Sequence, residues 1–427
     1  MLIIELNEFD PNYLKKVSKE LNLENIQKIF KLKHSNTFTD EKDEHQGLDP
    51  WVQWVSIHSG KPYKEHQICR LSETQKQNFK QIWNVVGENK NYSCGIWGVM
   101  NAPCGESKGI KFFVPDPWSF DEISFPNYLN DFLSLPRYMA KNYLSTSLPK
   151  FIKESFKMIN FIFQNRGNGK TRKFINMFFK SLFISGMNVH TFSTLLDFLS
   201  TLYFVELKDK FNTNFNIIFL NHIAHIQHQF WDSSDNKISK HMKFALIVCD
   251  EIIGLLFESM GNDKQLMIIN GIRQKCVKGD GFFIYRQKDP SSFFKNFGIK
   301  AIDTEQNMTN DGILIFDNLF NRDSAINILK NLSLKSNKKK ILDVEILDDR
   351  KVFYQLNIKS KIKTDEMILF NEKSFKFHDL IECICERTGA HIQQGDVFYQ
   401  GFKLPQEIYN HEICSFLSSS LLYEKWN

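Results

Sequence analysis

The sequence predicts an α/β protein with a central, mostly parallel sheet flanked by helices and with a helical cap inserted into it. Short apolar runs recur along the chain, helical patterns separate them, and polar residues follow several runs directly. Parallel strands are buried on both faces and appear as continuous apolar runs, and strands that alternate with helices build such sheets. The predicted strands are residues 1–6, 93–100, 215–221, 265–271 and 312–316.

The segments between these strands carry helical spacing. Residues 11–32 and 240–260 repeat apolar side chains at the helical period. Beyond residue 340 the pattern is mixed. Residues 340–347 and 351–358 have the spacing of strands, and residues 375–387 are predicted as a helix.

Aromatic and basic helical patterns occupy residues 125–212, so we predict a core of residues 1–124 and 213–427 and a helical cap of residues 125–212. Within the cap, the segment RGNGKTR at residues 166–172 is partly similar to a phosphate-binding loop. It lacks the first glycine of that motif and no strand precedes it, so a break between helices is the favoured interpretation.

Composition and charge disfavour several classes of partner. The net charge is only +5 over 427 residues, and no basic groove pattern with interleaved aromatic residues stands out, which disfavours nucleic acid. The eight cysteines lack paired CxxC spacing and are expected to be reduced thiols. No signal peptide and no apolar run of bilayer-spanning length is apparent. We therefore expect a cytoplasmic protein without a transmembrane segment; docking on a membrane surface and the oligomeric state stay open.

Three apolar runs end at the same residue type. Asn7, Asn221 and Asn270 each terminate a predicted strand. Because ligands of parallel α/β sheets bind beyond the carboxyl ends of the strands, we expect these amides to lie at a ligand site.

The stretch FLNHIAHIQHQFWD places His222, His225 and His228 three residues apart. Residues three apart share a helix face, but the last has turned well away from the first, so a metal site needs a ligand from another segment. Polar histidines on the flank of a helix are the alternative. Asn221 and His225 are four residues apart and point into one cleft if a helix begins where the strand ends.

Two further stretches are candidates for a site. In LDPWVQWVSIHSGKPYKEHQI, Asp49 precedes Pro50, which is the pattern of a helix N-cap with proline at the first helical position. The other interpretation makes Asp49, Gln53 and His58 residues of a cleft. In RTGAHIQQGDVFYQG, His391 lies in a loop flanked by glycines.

Together these stretches resemble the alkaline phosphatase superfamily, most closely its type I phosphodiesterase and nucleotide pyrophosphatase branch. MLIIELNE resembles the first strand, WVQWVSIHSGKPYKEH the nucleophile helix, NHIAH the Asp-x-x-x-His motif, LMIINGIRQ the Asp-His-Gly strand, and TGAHIQQGDVFYQG the late metal-binding histidine. The resemblance spans nearly the whole chain. It implies an alkaline-phosphatase-like core with a cap, and a site where a hydroxyl nucleophile lies between two zinc ions.

The chain departs from this family at the site itself. Asn7 stands where the first Asp is expected, Asn270 and Gly271 where Asp and His are expected, and Asp49 or Pro50 where the nucleophile is expected. Neutral amides do not balance a divalent ion as carboxylates do, so the metal site on the nucleophile side is expected to be lost.

The other metal position keeps more of its ligands. The resemblance implies Asn221, His225 and His391 as ligands of at most one divalent ion, Zn or Mn, with His222, His228 or a water completing the set.

Two functions follow from the resemblance. In the first, the protein is a phosphoesterase or phosphodiesterase acting on a small phosphate-containing molecule, such as a nucleotide sugar or a glycan phosphate, with Asp49 in place of the hydroxyl nucleophile. Asn7 and Asn270 then belong to the catalytic site, and the predicted substrate-binding residues are Gln53, His58 and His228. In the second, the protein is an inactive relative that binds a phosphorylated or glycosylated ligand or serves as a scaffold. The sequence leaves hydrolysis, phosphoryl transfer and absence of turnover open.

Overall fold

The structure, a computed structural model, describes residues 1–42, 47–142, 146–165, 167–232, 238–261, 264–279, 281–307 and 310–422. Over these residues the chain forms two compact units. Unit 1 comprises Met1–Leu133, Ile159–Val277 and Thr388–Asn427, and unit 2 comprises Ser134–Met158 and Lys278–Arg387. Residues 125–212 are thus shared between the units, and their assignment as a single cap stays a prediction.

The strands are named in chain order. They are β1 (Leu2–Leu6), β2 (Lys33–Phe38), β3 (Cys94–Val99), β4 (Ile110–Pro115), β5 (Phe215–Leu220), β6 (Leu266–Ile269), β7 (Arg273–Cys276), β8 (Phe283–Gln287), β9 (Asp303–Gln306), β10 (Asp311–Ile315), β11 (Ser333–Leu334), β12 (Leu342–Ile346), β13 (Lys351–Leu356), β14 (Met367–Phe370), β15 (Lys373–Lys376), β16 (Ile381–Glu386), β17 (Gly389–Ile392), β18 (Gln394–Gln400) and β19 (Glu407–Tyr409).

The helices are named in the same way. They are α1 (Pro11–Glu20), α2 (Glu24–Ile29), α3 (Pro50–Ser59), α4 (Tyr63–His66), α5 (Ile82–Gly87), α6 (Asn130–Lys141), α7 (Leu148–Gln164), α8 (Asn168–Ile184), α9 (Val189–Phe211), α10 (His222–Phe230), α11 (Lys240–Ser259), α12 (Pro290–Asn296), α13 (Leu319–Asn331), α14 (Phe377–Leu380) and α15 (Ile413–Leu422).

Unit 1 is built on an eight-stranded sheet with the order β19-β2-β18-β6-β1-β5-β3-β4. Strand β1 is parallel to β5 and β6, β3 is parallel to β4 and β5, and β19 is parallel to β2. Only β18 runs antiparallel to its neighbours β2 and β6. The predicted α/β class with a central, mostly parallel sheet is therefore confirmed.

The central strands form because their residues are apolar without interruption. Every residue of β1, β5 and β6 is buried, including Glu5 in the middle of β1. Helices such as α11 bury apolar residues at helical spacing, among them Val248, Ile252 and Leu256. The parallel arrangement brings the carboxyl ends of β6, β1 and β5 side by side, which positions the site described below.

Unit 2 contains a four-stranded antiparallel sheet with the order β12-β13-β10-β9. Its core includes Phe293, Leu314, Leu329 and Tyr354. The predicted strands near residues 312–316, 340–347 and 351–358 are β10, β12 and β13 of this sheet. The first of them was expected among the parallel strands and instead pairs antiparallel here.

The predicted helix over residues 375–387 is wrong. Only Phe377–Leu380 is helical, and Ile381–Glu386 forms β16, which pairs antiparallel with β8. The segment IECICE lacks the strict polar and apolar alternation of a strand, and its pairing with β8, which is irregular between Cys383 and Cys385, satisfies its backbone groups. Among the described residues, no helix is both long enough and apolar enough to cross a membrane.

Candidate functional site

The site lies where β6, β1 and β5 end. Asn7 and Glu8 follow β1, Asn221 follows β5, and Asn270 follows β6. Backbone hydrogen bonds continue past the strands, since Asn7 N donates to Leu220 O and Glu8 N donates to Asn270 O, both at 3.0 Å. The three asparagines predicted from the sequence therefore do lie along one edge of the sheet.

Glu8 is the centre of the site. Its backbone has a φ of 54°, and the residue is only 2% exposed. Oε1 accepts from Asn7 Nδ2 at 2.8 Å, and Oε2 accepts from Gln274 Nε2 at 2.6 Å. Oε2 also lies 3.0 Å from the Nε2 atoms of both His228 and His391. A buried carboxylate thus faces two imidazoles from two different segments, α10 and β17.

Glu8, His228 and His391 can each offer one ligand atom to a metal ion, and these atoms all lie within 4.8 Å of one another. Each imidazole has an oxygen at its other nitrogen. Nδ1 of His228 lies 3.0 Å from Gly389 O, and Nδ1 of His391 lies 3.4 Å from Asp49 Oδ1. Metal-binding histidines have this arrangement, because an outer acceptor takes the proton of one nitrogen and leaves the lone pair of the other for the metal. The donor set therefore fits a divalent ion.

The charges agree with this geometry. Burial alone raises the pKa of Glu8, but the neighbouring His391 and His228 lower it, and the net effect places the pKa well below its usual value. Glu8 is therefore ionised at neutral pH, as a metal ligand must be.

The start of α10 is fixed by a carboxylate from α9. Asp197 Oδ2 accepts from the backbone N of Asn221 at 2.7 Å, from the backbone N of His222 at 2.8 Å and from His222 Nδ1 at 2.8 Å. An acid at the start of a helix accepts from N–H groups that have no acceptor within the helix, and its negative charge complements the helix dipole. Asn221 Oδ1 is consequently left to accept from Asn7 Nδ2, at 2.8 Å.

His225, which the sequence analysis assigned to the metal, faces another helix. Its Nε2 lies 2.9 Å from Nδ1 of His190 in α9. Burial, and then the proximity of His190 and His228, lower the pKa of His225 to about 3. Burial and His241 lower the pKa of His190 to about 4. Both rings are therefore neutral at physiological pH.

Asn270 is bound on all sides. Its Nδ2 donates to Phe9 O at 2.9 Å and to Asp396 Oδ2 at 3.1 Å, and its Oδ1 accepts from Asp396 N at 2.7 Å. Asp396 is itself fully buried, and its carboxylate accepts from Arg273 and His34. Asn270 thus joins β6 to β18 at the floor of the site.

Helix α3 brings Asp49 to the site. Asp49 is the N-cap residue and Pro50 is the first helical residue, as the sequence predicts, but the Asp49 side chain does not cap the helix. It is 2% exposed and faces His391 instead. The helix ends at Gly60, whose φ of 73° is left-handed.

Two other predicted site residues on α3 have buried partners. Gln53 Nε2 donates to Gly47 O at 2.7 Å, and Gln53 Oε1 accepts from Asn410 Nδ2 at 2.8 Å. His58 Nε2 lies 2.7 Å from Glu5 Oε1, within the sheet and helix layer. Their roles in substrate binding stay predictions.

A serine on α3 lies beside a histidine without being activated by it. Ser56 Oγ is 3.0 Å from His66 Nε2. Burial and Lys61 lower the pKa of His66 to about 4, and its Nδ1 accepts from Ile68 N at 3.0 Å. The proton of the neutral ring is therefore on Nε2, so His66 donates to Ser56 and is no base for it.

No family model and no curated protein matches the chain. Solved structures do. Murine ectonucleotide pyrophosphatase/phosphodiesterase 5 matches with 9% identity and a TM-score of 0.41 over 99% of this chain and 94% of that one. Phosphonoacetate hydrolase from Sinorhizobium meliloti, with phosphonoformate bound, matches with 10% identity and a TM-score of 0.42 over 98% of this chain and 95% of that one. No functional residue is assigned from this likeness.

The structure places His391, Asp49, Asn7, Asn221 and His228 around Glu8, and the roles predicted for them from the sequence stay predictions. Sequence reasoning missed Glu8 as the carboxylate of the site. The signal was the residue type, since Glu8 is an acid at a strand end, one position after the asparagine that was aligned with the family's first Asp.

Proposed function

We propose that the chain holds one divalent metal ion, Zn or Mn, through Glu8, His228 and His391, and that it hydrolyses an ester of a small phosphate-containing molecule there. The observation that carries this proposal is the buried carboxylate between two imidazoles, each with an oxygen at its outer nitrogen. One carboxylate and two histidines are the protein ligands of several catalytic zinc sites, which keep a position open for water or substrate.

The charge of this ligand set favours an anionic substrate. One carboxylate and two neutral imidazoles compensate only part of a divalent charge, so the open side of the site attracts a phosphate group. When bound, the ion supplies Lewis-acid polarisation of a phosphoryl oxygen. Of the three proposed ligands, His228 is the most exposed, with a side chain at 24% exposure against 3% for Glu8 and 5% for His391. The motif resemblance supports phosphate over other anions, and nucleotide sugars and glycan phosphates remain the proposed examples.

The surrounding residues hold the ligands in place. We assign Asp49 a positioning role in place of the nucleophile role predicted from the sequence, because its Oδ1 is 3.4 Å from His391 Nδ1. Asn7 links Glu8 to Asn221 and is itself held by Trp54, whose Nε1 donates to Asn7 Oδ1 at 2.8 Å. This chain of hydrogen bonds orients the Glu8 carboxylate towards the two histidines.

A second function is favoured by one specific observation. The Glu8 carboxylate already has four nitrogen atoms around it, from Asn7, Gln274, His228 and His391. If both imidazoles carry a proton on Nε2, the group is satisfied without an ion, and the protein then binds a phosphorylated or glycosylated ligand, or serves as a scaffold, without turnover.

Elemental analysis and a substrate panel distinguish the two functions. We expect the purified protein to carry about one equivalent of Zn or Mn, and to release product from a phosphate monoester, a phosphodiester or a nucleotide sugar only when loaded. His228→Ala with His391→Ala should lose both metal and activity, whereas His225→Ala should keep the metal. If the protein binds no added Zn or Mn, the metal proposal is contradicted and the second function, binding without turnover, is favoured. Two equivalents, lost together in the double variant, would contradict the single-ion proposal.

Asp49→Asn provides a finer test of the positioning role. An amide accepts the His391 proton less well, so we expect metal affinity to fall about 10- to 100-fold with little change in thermal stability. Competition with a chromogenic zinc chelator measures the affinity. If Asp49 were the nucleophile, the variant would keep its metal affinity and lose only turnover.

A further inference from the structure

A stripe of apolar side chains runs along the outside of α8. Ile175, Phe179, Leu182 and Phe183 are all exposed, and Phe183 is 88% exposed. At helical spacing these four side chains lie within an arc of about 100°. Met187, between α8 and α9, and Phe192, in the first turn of α9, are also exposed. Exposed apolar residues are normal singly, but a contiguous patch marks an interaction surface.

The opposite side of α8 is packed, so the stripe is not a misplaced core face. Met177 and Ser181 are buried, and α8 contacts α9 and α11 within unit 1. Ser185, at the end of the helix, bonds Thr191 and His241 at 2.9 Å each. The helix is therefore anchored on its inner side and presents the stripe outward.

The polar flank of the stripe is cationic. The sequence of α8, NGKTRKFINMFFKSLFI, contains four basic residues and no acidic residue. Lys170 turns away to pair with Glu206, but Arg172, Lys173 and Lys180 are exposed. Lys173 and Lys180 are about two helical turns apart and so follow the same side of the stripe.

Helix α7 repeats the pattern along its own length. Leu148, Ile152, Phe156, Ile159 and Phe163 are exposed at helical spacing. The exposed basic residues of α7 are Lys150, Lys153 and Lys157, and its one acid, Glu154, pairs with Lys157 at 2.8 Å. Because two helices carry the same apolar stripe with basic residues beside it, the pattern is not explained by a single exposed phenylalanine.

We infer that α8 is a membrane-surface helix: its apolar stripe enters the interface of an anionic bilayer while its lysines bind the lipid headgroups. Helices that lie in the plane of a membrane combine Phe, Leu or Ile on one face with Lys or Arg on the other. Charge complementarity selects an anionic lipid surface as the occupant, because the flank carries only positive charge. This inference is independent of the metal site.

Vesicle flotation tests the inference. The full chain should float with phosphatidylcholine vesicles that contain phosphatidylglycerol, and should do so far less with phosphatidylcholine alone. Each lysine near a charged surface contributes about fivefold in partitioning, so Lys173→Gln with Lys180→Gln should weaken binding about 25-fold. Phe183→Ser should weaken it about tenfold.

Phe320→Ser is the matched control, since Phe320 on α13 is 82% exposed and lies outside the stripe; it should bind vesicles like the wild type. No flotation of the wild type with anionic vesicles, or equal flotation of all variants, would overturn the inference. So would light scattering that shows a dimer which Phe183→Ser converts to a monomer without any vesicle binding, because a second copy would then cover the stripe.

Discussion

Glu8→Gln is expected to lose the bound metal and ester hydrolysis together while keeping its fold. Glutamine has the shape of glutamate, but it offers no charge to balance a divalent ion, so metal affinity should fall by more than about 100-fold. A ligand at 100 times its Kd stabilises the folded state by about 2.7 kcal/mol. Thermal unfolding with and without added Zn should therefore show a rise in Tm for the wild type and none for Glu8→Gln.

Glu5→Gln is the matched control for this experiment. Glu5 is also a buried carboxylate of the same chain segment, and its Oε1 lies 2.7 Å from His58 Nε2. The change removes a buried carboxylate and histidine pair of the same kind, so it should lower stability without changing the response to Zn. If both variants respond to Zn like the wild type, the metal is not bound at Glu8.

In the metal-free protein, ionisation of Glu8 should make the free energy of unfolding depend on pH. The folded-state pKa of Glu8 is well below its usual value of 4.5. Its contribution is therefore fully present above the unfolded-state pKa and is lost as the pH falls through the lower folded-state pKa. In chelated samples, the difference in the free energy of unfolding between wild type and Glu8→Gln should shrink as the pH is lowered below about 4.5.

Four central strands of the unit 1 sheet could be predicted because their residue pattern is locally self-consistent. Strands β1, β3, β5 and β6 appear as apolar runs, and burial on both faces is what such runs require. Segment 381–386 could not be predicted in this way, because its strand character depends on β8, which lies far away in the sequence. The local pattern was interpreted as a helix, but pairing with β8 makes the segment a strand.

The site could be located but not completed from the sequence. Asn7, Asn221 and Asn270 do follow neighbouring strands at one edge of the sheet, where Asn7 bonds Asn221 and Asn270 O accepts from Glu8 N. The left-handed backbone of Glu8 could not be foreseen, since non-glycine residues rarely adopt it. The acid at the centre of the site is therefore Glu8, one residue after the Asn7 that the sequence analysis placed there. The sequence also did not show which side of α10 faces the site: His228 faces β17, where its Nδ1 lies 3.0 Å from Gly389 O.

Arg273→Met is expected to cause the largest loss of stability, about 3–5 kcal/mol, because it leaves the buried Asp396 carboxylate without its guanidinium partner. The Asp396 side chain is 0% exposed, and the Arg273 side chain is 14% exposed. Chemical denaturation measures the loss. The double variant Arg273→Met with Asp396→Asn should regain part of it, since a neutral amide tolerates burial better than a carboxylate without its guanidinium partner. Lys16→Ala breaks the exposed pair with Glu20 at 3.9 Å and should cost less than about 1 kcal/mol.

The stability difference between Arg273→Met and the wild type should depend on pH. Burial raises the pKa of Asp396, but the hydrogen bonds from His34 and Arg273 outweigh this effect. The pKa of Asp396 therefore lies below its usual 3.8. In the wild type the contribution of Asp396 is present above the unfolded-state pKa and is lost as the pH falls through the folded-state pKa. Without Arg273, burial should raise the folded-state pKa, so protonation favours the folded variant. The stability gap between Arg273→Met and wild type should therefore narrow as the pH is lowered from neutral towards about 4. A gap that stays constant over this range would show that the loss comes from packing of the arginine stem and not from the carboxylate.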